Sequence, residues 1–278
     1  MRKLGLIAGG GDLPVALAHR CRGQGRALFI LRLQGLTDPA LLAFDGADVG
    51  VAQLGKGIAA LRAAGCEAVC MAGVVARPDL AALKPDLRGI TALPGAIAAA
   101  RKGDDALLRF LLGEFEKEGF TLEGAHQVMG DLVLPGGALG ALTPSASDRL
   151  DISKGLEVAR IIGGLDIGQG AVCCHGLILA VEAQEGTDAM LRRVADLPEA
   201  IRGRPGAPRG VLVKAPKPGQ DLRIDLPTIG AATVRLAAAA GLSGLAGEAG
   251  AVLVIDQEAV RALADSLGLF VYGILPED

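Results

Sequence analysis

Short, unbroken apolar runs alternate with stretches of helical spacing along the first half of the chain. Leu4–Ala8 predicts a buried strand ended by Gly9-Gly10-Gly11-Asp12, and Leu13–Cys21 predicts a helix, with Leu13, Ala16, Leu17 and Arg20 about a turn apart. Ala27–Leu31 and Val49–Leu54 read as a second and a third strand, Ala59–Ala64 as a helix, and Ala68–Ala72, closing at Gly73, as a fourth strand. Asp104–Glu118 is the clearest amphipathic helix, with Leu107, Leu108, Leu111, Leu112 and Phe115 on one stripe. Continuous apolar strands alternating with helices imply parallel strands covered on both faces. Residues 1–131 are therefore expected to form a Rossmann-like parallel α/β domain.

Residues 132–147 carry no charge and are rich in Gly and Pro, the composition of a connection between domains. Residues 148–278 read as a second, mixed α/β domain. It starts with a helix from Ser147-Asp148 to about Ile162. Ala171–His175 and Leu177–Glu182, separated by little more than Gly176, predict a β-hairpin. Thr187 is placed to cap a helix through Ala195. Val211–Lys214 follows as a strand, Ile229–Ala240 as a helix capped by Thr228, Ala251–Ile255 as a strand, Glu258–Ser266 as a helix and Leu269–Tyr272 as a last strand. No internal repeat is visible.

Composition narrows the function classes. With 278 residues, 51% of them hydrophobic, and a mean hydropathy of +0.42, a membrane span has to be considered. The longest uncharged runs, 132–147 and 167–181, are 16 and 15 residues long. Both are shorter than the roughly 20 apolar residues that cross a bilayer, and Gly or Pro interrupts both. The basic, then apolar start is cut short by the three glycines, so no signal peptide is read and the cytoplasm is the expected compartment. Five cysteines, an odd number, with Cys66, Cys70, Cys173 and Cys174 in apolar strand-like surroundings, argue against a disulfide framework, and no paired CxxC spacing suggests zinc. A net charge of −3, no Trp and one Tyr argue against a nucleic-acid partner.

Three segments carry candidate chemistry. Ile7-Ala8-Gly9-Gly10-Gly11-Asp12-Leu13-Pro14 is a strand, a glycine turn and a helix start, and it reads either as an anion site or as a mere tight turn. It is neither a GxGxxG fingerprint nor a P-loop. Lys214 to Gly230 is the densest polar segment of an apolar chain. Lys214, Lys217 and Arg223 suit negative oxygens, and Asp221 and Asp225 suit a metal or a proton. In an extended chain the two aspartates stand roughly 13 Å apart, so one of them acts alone. Pro227 favours an extended Leu226, which presents Asp225 ahead of the helix expected at Ile229. Glu182-Ala183-Gln184-Glu185-Gly186-Thr187-Asp188 follows a strand and opens a helix. It either brings carboxylates and a second helix N-terminus to a pocket or is a plain capping turn. His19, His126 and His175 are scattered, and neither a Ser-His-Asp order nor HExxH is present.

Three stretches, Gly-Leu-Ile-Ala-Gly-Gly-Gly-Asp-Leu-Pro, Glu-Ala-Gln-Glu-Gly-Thr-Asp-Ala-Met and Lys-Pro-Gly-Gln-Asp-Leu-Arg-Ile-Asp-Leu-Pro-Thr-Ile-Gly, together resemble the LpxI family, the UDP-2,3-diacylglucosamine pyrophosphatases of lipid A biosynthesis. The resemblance covers nearly the whole chain, and the last stretch is the most specific. It implies a two-domain α/β enzyme with its active site at the domain interface. The implied reaction is magnesium-dependent hydrolysis of UDP-2,3-diacylglucosamine to lipid X and UMP, with water directed at the β-phosphorus. The expected partners are the lipid-linked UDP-sugar, transient contact with the cytoplasmic face of the inner membrane, and a second copy of the chain in a homodimer.

The residues suit such chemistry, since a pyrophosphate diester carries two negative charges that cations must offset. Asp225 is the expected essential carboxylate, as a magnesium ligand, a water-orienting base or both. Expected substrate contacts are Gly10, Gly11, Asp12, Leu13, Gly73, Thr187, Asp188, Lys214, Lys217, Gln220 and Arg223. Two other classes compete. One is a non-catalytic nucleotide-binding or sensor protein. The other is a nicotinamide-dependent oxidoreductase, disfavoured by the imperfect glycine fingerprint and by Leu31-Arg32-Leu33, where an acidic ribose partner would sit.

Overall fold

The computed structural model describes residues 1–75, 83–219 and 226–275, and its contacts divide the chain into two units, one carried by Met1–Gly130 and the other beginning at Asp131. Each is α/β. In the first, β1 (Leu4–Ala8) is flanked by β2 (Leu28–Leu33) and β4 (Ala68–Ala72), with β3 (Gly46–Val49) and β5 (Thr121–Leu122) outside them. All pairings are parallel and the order is β3-β2-β1-β4-β5. This matches five of the six strands in the 3-2-1-4-5-6 order of a doubly wound nucleotide-binding fold. Every residue of β1 is buried, which explains why it reads as a continuous apolar run rather than an alternating one. The helices are α1 (Asp12–Gly23), α2 (Leu54–Ala63), α3 (Leu87–Ala100), α4 (Asp104–Lys117) and the single turn α5 (Ala125–Val128). Ile58 and Leu61 of α2 and Leu112 and Phe115 of α4 close one core with Ile7, Leu31 and Val69.

The third strand lies earlier than the apolar pattern suggests. It ends at Val49, and Leu54, expected in that strand, opens α2. The intervening turn is tied by the Gln53 amide N–H to the Gly50 carbonyl and by Gln53 Oε1 accepting from the Gly50 N–H, 2.9 and 3.0 Å. Asp86 fastens two helices at once. Its carboxylate accepts from the Gly89 N–H in the first turn of α3 and from the Lys56 N–H in the first turn of α2, both at 2.7 Å. Burial opposes its ionisation, but these and further backbone donors at Gly55 and Arg88 outweigh it and hold the carboxyl below its usual range. Asp86→Ala is expected to cost about 1–2 kcal/mol of stability, measured by urea unfolding at neutral pH. Because the folded-state value is depressed, this contribution is complete above the unfolded value of about 4 and fades as pH falls through the folded one. Wild type and variant should therefore converge in acid.

The second unit is built on a six-stranded mixed sheet of order β6-β13-β11-β9-β7-β8 among the described residues. β9 (Val211–Lys214), β11 (Gly244–Glu248) and β13 (Phe270–Ile274) run parallel, while β7 (Gly170–Cys174) and β8 (Leu177–Val181) form the expected antiparallel hairpin. β7 joins β9 antiparallel. The hairpin turn is His175-Gly176, with φ of 52° and 78°. Buried Asp151 of α6 (Ala146–Gly164) holds it, accepting from the backbone N–H groups of both turn residues at 2.9 and 2.7 Å. Segment 132–147, expected as a connection, contributes to this unit: Leu134 is fully buried in its core, and β6 (Gly137–Ala138) pairs antiparallel with β13.

Helices cover both faces of this sheet. Ile152 of α6 packs on Val211 and Val213, while Leu212 joins the opposite core with Met190 and Leu191 of α7 (Gly186–Ala195), Val234 of α8 (Ala231–Ala239) and Val260 of α9 (Gln257–Leu267). Side chains alternate along a strand, so Lys214 at the end of β9 shares the face of Leu212, toward α7 and α8. Thr228 is not the cap of α8. It lies in β10 (Thr228–Ile229), paired parallel with β12 (Leu253–Val254), and α8 begins after Gly230 with no side-chain cap.

Candidate active site

The first unit gathers the glycines at one point. The Gly10 N–H donates to the Val74 carbonyl and the Val74 N–H donates to the Gly10 carbonyl, each at 2.9 Å, tying the turn after β1 to the turn after β4. Gly73 is confined by this closure. Its φ is +92°, and a Cβ there would lie 2.5 Å from the Gly10 oxygen and 2.7 Å from Pro14 Cγ. Gly10 and Gly73 thus meet at the carboxyl ends of neighbouring strands, beside the point where the strand order turns and where open α/β sheets bind ligands. Gly11, at φ +89°, is exposed with open space around it, and it precedes α1, whose first turn has no side-chain cap. Asp12 is exposed in that turn and Leu13 is half-buried. A carboxylate there suits a ligand hydroxyl better than a phosphate, because like charges repel.

The second unit holds a chain of polar groups in an apolar surround. Lys214, only 5% exposed, donates from Nζ to Thr187 Oγ1 at 2.7 Å and to the Thr228 carbonyl at 3.2 Å. Thr187 in turn donates to Glu182 Oε1 at 2.7 Å. The expected capping role of Thr187 is therefore replaced by this one. α7 begins at Gly186 behind Glu185, two residues too early for Thr187 to be its cap, and the hydroxyl is spent between a lysine and a glutamate. Asp188 is half-buried in the first turn of α7, where a negative charge is favoured by the helix dipole. Lys217 is joined to Asp166, whose backbone adopts φ 56°.

Gln220, Arg223 and Asp225, with Asp221, lie outside the described residues. The chain immediately after them is well anchored: Leu226 is buried, the Pro227 carbonyl accepts from the Leu253 N–H at 2.8 Å, and the Thr228 carbonyl is the one that Lys214 grips. In the sequence Glu182 reads only as part of a segment that either brings carboxylates to a pocket or is a plain capping turn, and it is not among the expected substrate contacts. Its signal was its place directly after an apolar strand and five residues ahead of Thr187. Among the described residues no group of three or more His, Cys, Asp or Glu side chains is gathered as a metal cage.

An ammonium ion this buried, with no carboxylate in direct contact among the described residues, favours an anionic ligand at its free donor. The first unit thus has the strand order of nucleotide-binding folds, and the second presents a cation from the end of a strand. Sequence comparison agrees with that class. The LpxI N-terminal domain matches residues 3–132 and the LpxI C-terminal domain residues 135–272. The chain belongs to the LpxI family. It is 64% identical over 278 residues, covering 100% of this chain and 99% of the relative, to the UDP-2,3-diacylglucosamine pyrophosphatase LpxI of Caulobacter vibrioides. Among solved structures, an assigned NAD-dependent epimerase/dehydratase of Methylobacillus flagellatus is 20% identical over 49% of this chain and 42% of its own, with a TM-score of 0.26. The biotin carboxylase domain of Hydrogenobacter thermophilus 2-oxoglutarate carboxylase is 14% identical over 76% and 44%, with a TM-score of 0.25. Neither is similar enough to bear on function.

Proposed function

We propose that this protein hydrolyses the pyrophosphate bond of UDP-2,3-diacylglucosamine, releasing lipid X and UMP. The observation that carries the reading is the full-length identity of 64% to an enzyme named for that activity. The buried ammonium of Lys214, poised at a strand end with one N–H unused among the described residues, supports it from the structure. In the proposed reaction a water oxygen bonds to the phosphorus nearer the sugar as the P–O–P bridge breaks. The bridging oxygen leaves with UMP, and a water proton passes to a carboxylate, for which Asp225 is the candidate. Lys214 offsets charge on the phosphoryl oxygens where it develops. The glycine turn of the first unit takes part of the nucleotide, with Asp12 accepting from a hydroxyl.

Magnesium is part of the proposal. A pyrophosphate diester brings two negative charges, whereas the described cluster supplies one buried cation, so a divalent ion fits the remaining charge. Mg²⁺ keeps several of its waters and needs only one or two carboxylates, and Asp225 would be its ligand. When bound it would offset phosphate charge and make water more acidic. The substrate is a lipid, so the protein must meet a membrane surface. No described helix is long and apolar enough to cross one.

The test is release of UMP from purified UDP-2,3-diacylglucosamine by the purified protein, before and after exhaustive treatment with EDTA. Turnover that falls at least tenfold on metal removal and returns with Mg²⁺ is expected. Undiminished turnover after removal would rule out the metal, and binding without turnover would favour the sensor reading.

A further inference from the structure

We infer that Glu182 is a positioning residue for phosphate recognition, acting on Lys214 through the hydroxyl of Thr187; the inference rests on the pyrophosphatase reading above. A carboxylate can only accept hydrogen bonds and an ammonium can only donate them. Thr187 stands between the two, 2.7 Å from each. Its single proton must go to Glu182, and a lone pair must therefore face Lys214. The carbonyl of Thr228 takes a second Lys214 proton at 3.2 Å. An ammonium has three, so the fixed acceptors leave one N–H, in a direction set by the other two. Without Glu182 the Thr187 hydroxyl would be free to turn its own proton toward Lys214, and the ammonium would lose its aim.

Glu182 is itself held for this task. Its backbone N–H donates to the Gly170 carbonyl at 2.8 Å. Glycines make the space it occupies: a Cβ at Gly168 would lie 2.1 Å from the Glu182 carbonyl oxygen, and one at Gly170 would lie 2.7 Å from Oε2. Oε2 is buried with no hydrogen-bond partner among the described residues. Such an oxygen is costly, and a fold that served only its own stability would be better off without it. Its carboxylate lies one hydroxyl away from the Lys214 ammonium. It does not form a direct pair that would compete with a phosphate.

A double-mutant cycle on the full-length protein tests this, with UMP release as the readout and circular dichroism as the check on folding. Glu182→Ala is expected to lower kcat about 10- to 100-fold with a smaller change in KM, and Thr187→Val should reproduce it. Glu182→Gln keeps an oxygen that accepts from Thr187 and should retain most of the activity. In the Lys214→Met background, Glu182→Ala should cost nothing further, because its target is gone. Losses that multiply in the double variant would overturn the inference. So would a fully active Glu182→Ala, or a Glu182→Gln as damaged as the alanine. If Glu182→Ala does not fold, Thr187→Val replaces it in the cycle. Failure of the underlying functional reading looks different: the wild-type protein would then release no UMP at all, whereas a Lys214→Met that releases UMP at the wild-type rate would overturn the inference alone.

Discussion

Asp225→Ala is expected to leave the protein folded and able to bind its substrate while turnover falls by at least about 10²–10⁴-fold, the range for loss of a general base. Loss of a metal ligand would add to that. The choice of Asp225 over Asp221 comes from the chain around them. Asp221 follows Pro218-Gly219-Gln220, a turn in which an aspartate commonly bonds its own backbone. Asp225 precedes Leu226-Pro227-Thr228, and these three residues are anchored by a buried side chain, a strand-like hydrogen bond and the Lys214 contact. Thr228-Ile229 is a strand and α8 starts only at Ala231, so no helix N-terminus directly follows Asp225 to favour its ionisation. The case rests instead on the anchored chain beside it and on the family motif. Asp221→Ala should cost much less. Steady-state kinetics of the two purified variants, with substrate binding measured separately, decide the assignment; an Asp225→Ala enzyme within tenfold of wild type would remove it.

Lys214→Met carries the second large effect. Methionine retains the length and much of the apolar stem but removes all three donors. The fall expected is about 10²–10³ in kcat, as for removal of a preorganised donor to developing charge. Two effects on stability oppose each other: methionine avoids the cost of burying an ammonium, but the Thr228 carbonyl loses a donor and the Glu182 carboxylate loses its nearby cation. The expected pattern is therefore an enzyme that still folds and is slow. Thermal unfolding and UMP release on the same preparation check it. A variant that is slow only because it is unfolded would contradict the account.

The strand-and-helix plan of both units was legible where burial is uniform or periodic. β1, β4 and β9 sit at the residues where their apolar runs fall, since strands buried on both faces leave no polar positions to confuse the reading. The elements that escaped are those in which glycine serves packing rather than turning. α3 contains Gly89, Pro94 and Gly95, which read as breakers. Yet a Cβ at Gly89 would lie 2.1 Å from the Ala52 carbonyl oxygen, and one at Gly95 would lie 2.5 Å from the Phe110 ring. β11 begins with Gly244, where a Cβ would meet the Phe270 ring at 2.4 Å. Close approach of partners distant in sequence dictates these glycines, and nothing local signals it.

The candidate site was legible in part for a related reason. Gly10, Gly73, Thr187 and Lys214 stood out by composition, and the fold joins the first two in one unit and the last two in the other. That Thr187 is a relay rather than a cap depends on a lysine 27 residues away. The role of Glu182 depends on the same contact. Local capping rules had already offered both residues an adequate explanation, so the sequence held no reason to look further.

Hydrolysis in oxygen-18 water, followed by mass spectrometry of both products, tests the central claim most directly. The account predicts that purified protein converts UDP-2,3-diacylglucosamine to lipid X carrying one heavy oxygen in its phosphate and to UMP carrying none. Heavy oxygen in UMP would contradict attack at the phosphorus nearer the sugar, and the absence of both products would contradict the proposed function itself.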